Sequence, residues 1–240
     1  MTGYLMRRFN LILCLLCFSL LGGCAQQKVV ASDPDGAGLS RLAKSDINEV
    51  VELHQRAVMH DLKELMLKLY RRNPDGRHDK AQRTIEASVN RVFSRAHDQD
   101  YPQWQALKPT DIIRVALDET YQGSDRVLPF IVGLRKMLMT AYDNHTEFYY
   151  LTSLSEQKLY NSARNIEIAA WMLAENRDIN GRLLILSDSL EHEQRNLSYQ
   201  RLIGRMIATQ DNLAAIISRK SGRLIKSVVV KAASMMFLPI

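Results

Sequence analysis

His54, His60, His78, His97, His145 and His192 are the side chains of this chain best suited to bind a metal or move a proton near neutral pH. A zinc site needs several ligands at fixed spacing, as in His-Glu-x-x-His on one helix face. No such spacing occurs, and the paired Glu-x-x-His motifs of di-metal helix bundles are missing too. His60 and Glu64 stand four apart, on one face of a helix, where a surface hydrogen bond is the plain reading. His54 falls on an apolar stripe and reads as a satisfied core or boundary residue. No metal ligand is assigned.

Nucleophilic catalysis has one place to look. The stretch Ser187-Asp188-Ser189-Leu190-Glu191-His192-Glu193 contains the letters of a triad, and Ser189 and His192 would meet on a helix. A triad also needs an orienting acid and an oxyanion hole, and the Gly-x-Ser-x-Gly elbow is absent. Glu167, Glu175, Glu191 and Glu193 are scattered acids, and no pair of them is set at the separation that glycan cleavage requires. Gly-rich loops that cradle phosphate are missing. No catalytic residue is assigned, and no cofactor is expected.

Basic clusters are more informative. Residues 201–231 carry seven cations, Arg201, Arg205, Arg219, Lys220, Arg223, Lys226 and Lys231, against Asp211 alone. Residues 71–95 are a second, weaker cluster. Arg219, Arg223 and Lys226 stand at i, i+4 and i+7, a spacing that shares one helix face. Such a face either meets only solvent or contacts an anionic surface, whether lipid headgroups or an acidic partner. The whole chain is only +6 at neutral pH, and two of those charges are Arg7 and Arg8. That balance is too mild for a dedicated nucleic-acid binder.

The elements that would carry these residues read as helices. The 240 residues include only 11 Gly and 6 Pro, and 46% are hydrophobic. That leaves few helix breakers and enough apolar surface for a core. Ile47, Val51, His54, Val58, Leu62, Leu65 and Leu69 recur at helical spacing, and Asn73-Pro74-Asp75-Gly76 stops that helix. A second helix is predicted from about Asp79 to Arg95, and a short third one from Thr110 or Asp111 to Tyr121. Residues 127–139 are the most apolar stretch after the leader, interrupted by Arg135 and Lys136, and predict a buried central helix. Ser153 and Glu156 match a capping box. The helix after them places Leu159, Ala163, Ile166, Ala170 and Leu173 on a narrow seam. A long helical segment is expected over residues 182–219. The apolar end, residues 228–240, is expected to dock onto the body.

The first 24 residues carry a different message. Arg7 and Arg8 precede the apolar run 11–21, which at about 11 residues is short of the roughly 20 that span a bilayer. Small residues follow, completing the layout of a secretory signal. Leu21-Gly22-Gly23-Cys24 resembles the lipobox of bacterial lipoproteins. The resemblance implies cleavage between Gly23 and Cys24, a diacylglyceryl group on the Cys24 thiol and an N-acyl chain on the new amino terminus. Ala25, where Asp would favour the inner membrane, implies the outer membrane facing the periplasm. The other cysteines, Cys14 and Cys17, leave with the signal, so the mature chain keeps no free thiol and forms no disulfide.

The sequence therefore predicts an all-α protein with a single bundle-like domain of about six or seven helices. Residues 1–23 are the signal peptide, 24–38 the lipidated start and flexible tether, and 39–240 the helical body. Fully extended, the tether reaches on the order of 45 Å. The expected role is binding or scaffolding at the cell envelope, with the membrane engaged through the lipid anchor and an envelope protein or anionic lipid as partner. An envelope hydrolase with an unfamiliar site and a lipid-handling protein are the rival readings.

Overall fold

The computed structural model describes residues 46–96, 101–149, 153–188, 193, 196–227 and 236–240. The signal, Gly23, Cys24 and the tether lie outside the described residues, as do His97, Ser189, Leu190, Glu191, His192 and Lys231. Among the described residues there are six α-helices and no strand. They are α1 (Asp46–Arg72), α2 (Ile85–Ser94), α3 (Pro109–Ala116), α4 (Val127–Ala141), α5 (Glu156–Glu175) and α6 (Ser198–Ser221). The protein is all-α, as its periodicity predicts.

Helix α1 is the longest, at 27 residues. Its stripe of Val51, Val58, Leu62, Leu65 and Leu69 is buried, while Ile47 and His54 are half-buried at its margin. Helix α6 packs along α1, α5 packs along α6, and α4 touches both α1 and α5. Of the 15 residues of α4, 12 are buried, which makes it the central element. Asp125 caps it: Leu128 N donates to Asp125 Oδ1 at 3.0 Å. Short α3 lies against α4 at Gly133. A Cβ there would stand 2.8 Å from Ile113 N and 2.9 Å from Pro109 O, so only glycine permits this approach.

Several boundaries differ from the sequence reading, each for a local reason. Helix α2 begins at Ile85, because Thr84 caps it through Ala87 N and the buried carboxylate of Asp79 is occupied by Ser88 Oγ at 2.8 and 2.9 Å. Helix α3 ends at Ala116, five residues before Tyr121. The cap of α5 is Ser155, which accepts from Lys158 N, and Ser153 is not the capping residue. The largest difference is at residues 182–188, which are irregular and bent where a helix is expected. Arg177 and Leu183 form an isolated antiparallel bridge, and Ile185 and Ser187 are buried while Leu183, Leu184 and Leu186 are half-buried. Asn73 holds this segment: Leu186 N donates to its Oδ1 at 2.9 Å, and its Nδ2 donates to Leu186 O at 2.8 Å. A non-helical segment beside helices has no ladder, and side-chain amides supply the missing partners.

The same device holds the C-terminal segment against α5. Asn165 accepts from Leu238 N at 2.7 Å and donates to Leu238 O at 2.9 Å, and Asn161 donates to Pro239 O at 2.8 Å. Phe237 and Ile240 pack on the core, with the Arg114 guanidinium 5.3 Å from the Phe237 ring centroid. Residues 236–240 therefore dock on the body, as expected. Trp104 is buried in a 3₁₀ turn, Pro102–Trp104, against Tyr101.

Candidate functional site

The basic residues singled out by spacing sit at the end of α6, and they do not share a helix face. Gly222 adopts a left-handed φ of 68°, which ends the helix after Ser221. Ser218 Oγ caps the exit by donating to Arg223 O at 2.5 Å. Arg219 is in the last helical turn, where a cation complements the helix dipole. Arg223 and Lys226 fall on the extended chain beyond it. Gln157 grips that chain at Lys226, accepting from its N–H at 2.8 Å and donating to its carbonyl at 3.1 Å. Ile225 then packs on the core while Leu224 is 90% exposed. Arg219, Lys220, Arg223 and Lys226 are exposed too.

Beside these cations lies a cleft of about 230 Å³. The start of α1 forms one wall with Ile47, Asn48 and Val51, and Phe148, Leu154 and Ile217 extend the apolar lining. Lys220 and Arg223 stand at its edge. Arg223 Nε is 3.6 Å from Glu156 Oε2. No acidic group among the described residues pairs with Lys220. Asn48 is buried, and its Nδ2 finds no acceptor among the described residues.

No family model, curated protein or solved structure matches this chain.

The remaining chemically capable residues form structural clusters. His78 Nδ1 lies 2.6 Å from Asp125 Oδ2, the orienting half of a triad. That oxygen also accepts from Tyr70 OH at 3.0 Å and from His78 N at 3.1 Å. Among the described residues no hydroxyl or thiol is bonded to the other ring nitrogen, so no nucleophile completes the set. Burial, with the charge of Asp125 adding to it, pushes the Tyr70 hydroxyl far above the ordinary tyrosine range. The cluster ties α1, the loop after it and the start of α4 into one knot. Nothing local in the sequence pairs His78 with Asp125, because the two stand 47 residues apart.

His60, Asp61 and Glu64 bring one potential ligand atom each within 4.8 Å of one another. Arg205 already occupies both carboxylates: its Nη2 pairs with Asp61 Oδ1 and lies 3.5 Å from Glu64 Oε2, while its Nε donates to Asp61 Oδ2 at 3.1 Å. A divalent cation would meet a guanidinium there. Arg164 similarly joins Glu167 at 3.2 Å and Asp211 at 2.5 Å, clamping α5 to α6. Burial raises both carboxyls despite that arginine. Of the triad letters, Ser187 is buried and Asp188 accepts from Gln200. Glu193 pairs with Arg72. His54 Nδ1 is 2.8 Å from Val50 O, a locally satisfied ring.

Proposed function

We propose that the chain is a lipid-anchored bacterial envelope protein whose helical body binds or scaffolds a partner at the membrane surface. Cys24 carries the diacylglyceryl and N-acyl groups, and the body faces the periplasm from the outer membrane. The lipobox after a basic, apolar leader supports the anchor. Two or more acyl chains hold a protein stably where one chain does so only marginally. Among the described residues no helix is long and apolar enough to cross a membrane.

One observation carries the orientation. The chain enters α1 at Asp46, and Ile47 and Asn48 line the same cleft as Lys220 and Arg223. The start of the helical body and its most cationic end thus share one side. Anionic headgroups attract such cations by about 1 kcal/mol each, and Leu224 adds an apolar side chain among them. A body held this way presents the opposite side to a partner.

Intact mass and detergent partitioning test the reading. The mature protein should begin at Cys24, carry the acyl groups and enter the detergent phase, while Cys24→Ser should stay unprocessed and unacylated. An unacylated native chain recovered in the aqueous phase overturns the anchor. In-cell cross-linking should recover a defined envelope protein, and recovery of none under several growth conditions counts against the scaffolding role.

A further inference from the structure

We propose that the cleft between the start of α1 and the end of α6 binds one acyl chain with an anionic oxygen head, as in a long-chain fatty acid. The inference rests on the membrane-facing reading of this end and names a ligand for it.

Three features select that chemistry together. The walls are hydrocarbon, with Val51, Phe148, Leu154 and Ile217 all buried in the core that forms them. Ser153 and Ser221 also line the cleft but are exposed, whereas Asn48 is 4% exposed and its Nδ2 is unpaired among the described residues. A buried amide donor without an acceptor has lost its water and gained nothing in return, which destabilises the fold. The fold therefore keeps an orphan donor beside the cleft at a stability cost, and an oxygen acceptor that displaces the side chains covering it would relieve that cost. The third feature is the pair of cations at the edge, Lys220 and Arg223. Arg223 shares its charge with Glu156 at 3.6 Å, so Lys220 is the stronger attractor for an anion.

Each simpler ligand leaves one feature unused. A phosphate or sulfate has no hydrocarbon for the walls. A sterol or fatty alcohol offers no charge to Lys220. A metal ion meets two cations and an amide N–H. At about 230 Å³ the cleft is smaller than the usual drug-sized pocket, which suits one chain and not a two-chain phospholipid. Helix α1 supplies the donor and α6 the charge, so an occupant also staples the two longest helices at the end where the chain enters α1.

Photo-labelling tests this directly. The full chain is placed in phosphatidylcholine nanodiscs and exposed to a diazirine-bearing stearate, and labelled peptides are mapped by mass spectrometry. Label should fall on residues 47–51 and 217–223, and unlabelled oleate should displace it while oleyl alcohol should not. Asn48→Asp keeps the volume and exchanges the donor for an anion; it should cut labelling about tenfold, the worth of one charge-assisted hydrogen bond. Lys220→Glu, on an exposed position, should weaken labelling without changing the thermal midpoint. Equal displacement by the alcohol, labelling confined to the Leu224 surface, or unchanged labelling in Asn48→Asp overturns the proposal. Displacement by phosphatidylglycerol alone assigns the cleft to bilayer lipid and overturns it as well. Increased labelling in Cys24→Ser would assign the cleft to the chain's own acyl group and overturn it too. Unchanged labelling in Cys24→Ser supports it, and acylation at Cys24 is read separately from the intact mass, so the two proposals fail independently.

Discussion

His78 and Asp125 are 47 residues apart in the chain, yet the Nδ1 of one lies 2.6 Å from the Oδ2 of the other. The carboxylate that receives the histidine also receives the Tyr70 hydroxyl, and its second oxygen caps α4 through Leu128 N. One buried side chain therefore ties the last turn of α1, the loop after it and the start of the central helix together.

Asp125→Ala should cost about 3 kcal/mol, combining a lost helix cap with stranded partners at Tyr70 and His78. Urea unfolding at neutral pH measures it. Tyr70→Phe, which removes one donor and leaves the cap, should cost about 1 kcal/mol. Equal losses in the two variants would show that the cap contributes nothing.

The alkaline limit of stability should be set by buried tyrosines. Burial lifts both Tyr70 and Tyr142 above the ordinary tyrosine range; the Asp125 charge adds to the lift at Tyr70, while the Gln210 contact opposes it at Tyr142. A raised pKa means that the folded state keeps its proton when the unfolded chain has released it. The stabilisation is complete below about pH 10 and falls above it by about 1.4 kcal/mol per pH unit for each tyrosine. Unfolding midpoints should be flat from about pH 8 and then drop as the pH passes about 10. The Tyr70→Phe/Tyr142→Phe double variant should lose most of the drop.

Gly133 and Gly204 should respond to alanine in opposite directions. At Gly133 the new methyl would lie 2.7 Å from Ile113 Cγ1 and nearly as close to backbone atoms of α3, so the helices must separate, at a cost of about 2 kcal/mol. At Gly204, on the exposed face of α6, nothing stands within 4 Å. Alanine there should stabilise by roughly 0.5–1 kcal/mol through helix propensity and a less flexible unfolded chain. Thermal melts of the two variants give both signs.

Asn165→Ala should release the C-terminal segment before it unfolds the body. Both backbone groups of Leu238 lose their partner. Hydrogen exchange at Leu238 should become fast, while global stability falls by about 1–2 kcal/mol. Protection that survives the substitution would mean that Phe237 and Ile240 hold the segment by packing alone.

Most helices are legible from period and punctuation. The stripe of α1 and the largely apolar run of α4, broken at Arg135 and Lys136, need no tertiary information, because burying such patterns has one solution in a helical chain. Residues 182–188 read as helix and are not, since a stripe of leucines looks the same whether or not an asparagine 113 residues away is waiting for the backbone. The basic triplet Arg219, Arg223 and Lys226 misleads for a nearer reason. Spacing alone gives Gly222 no weight as a stop, and an αL glycine there ends the face that the spacing implies. Asn48 carries no signal at all. A lone asparagine in a first turn looks like any polar surface residue until the structure shows it buried among apolar walls.

Local physics alone, the helical period and the chain's few breakers, determined that this protein is built from helices and which faces turn inward. It also supplied the leader pattern on which the proposed anchor rests. Tertiary structure decided what distant residues do to one another: which acid holds His78, which amides hold the non-helical segments, which carboxylates Arg205 neutralises, and that the start of α1 and the end of α6 enclose a common cleft. Such pairings depend on where whole helices cross. Crossing is set by the shape of many packed side chains at once, and no short window of sequence contains it.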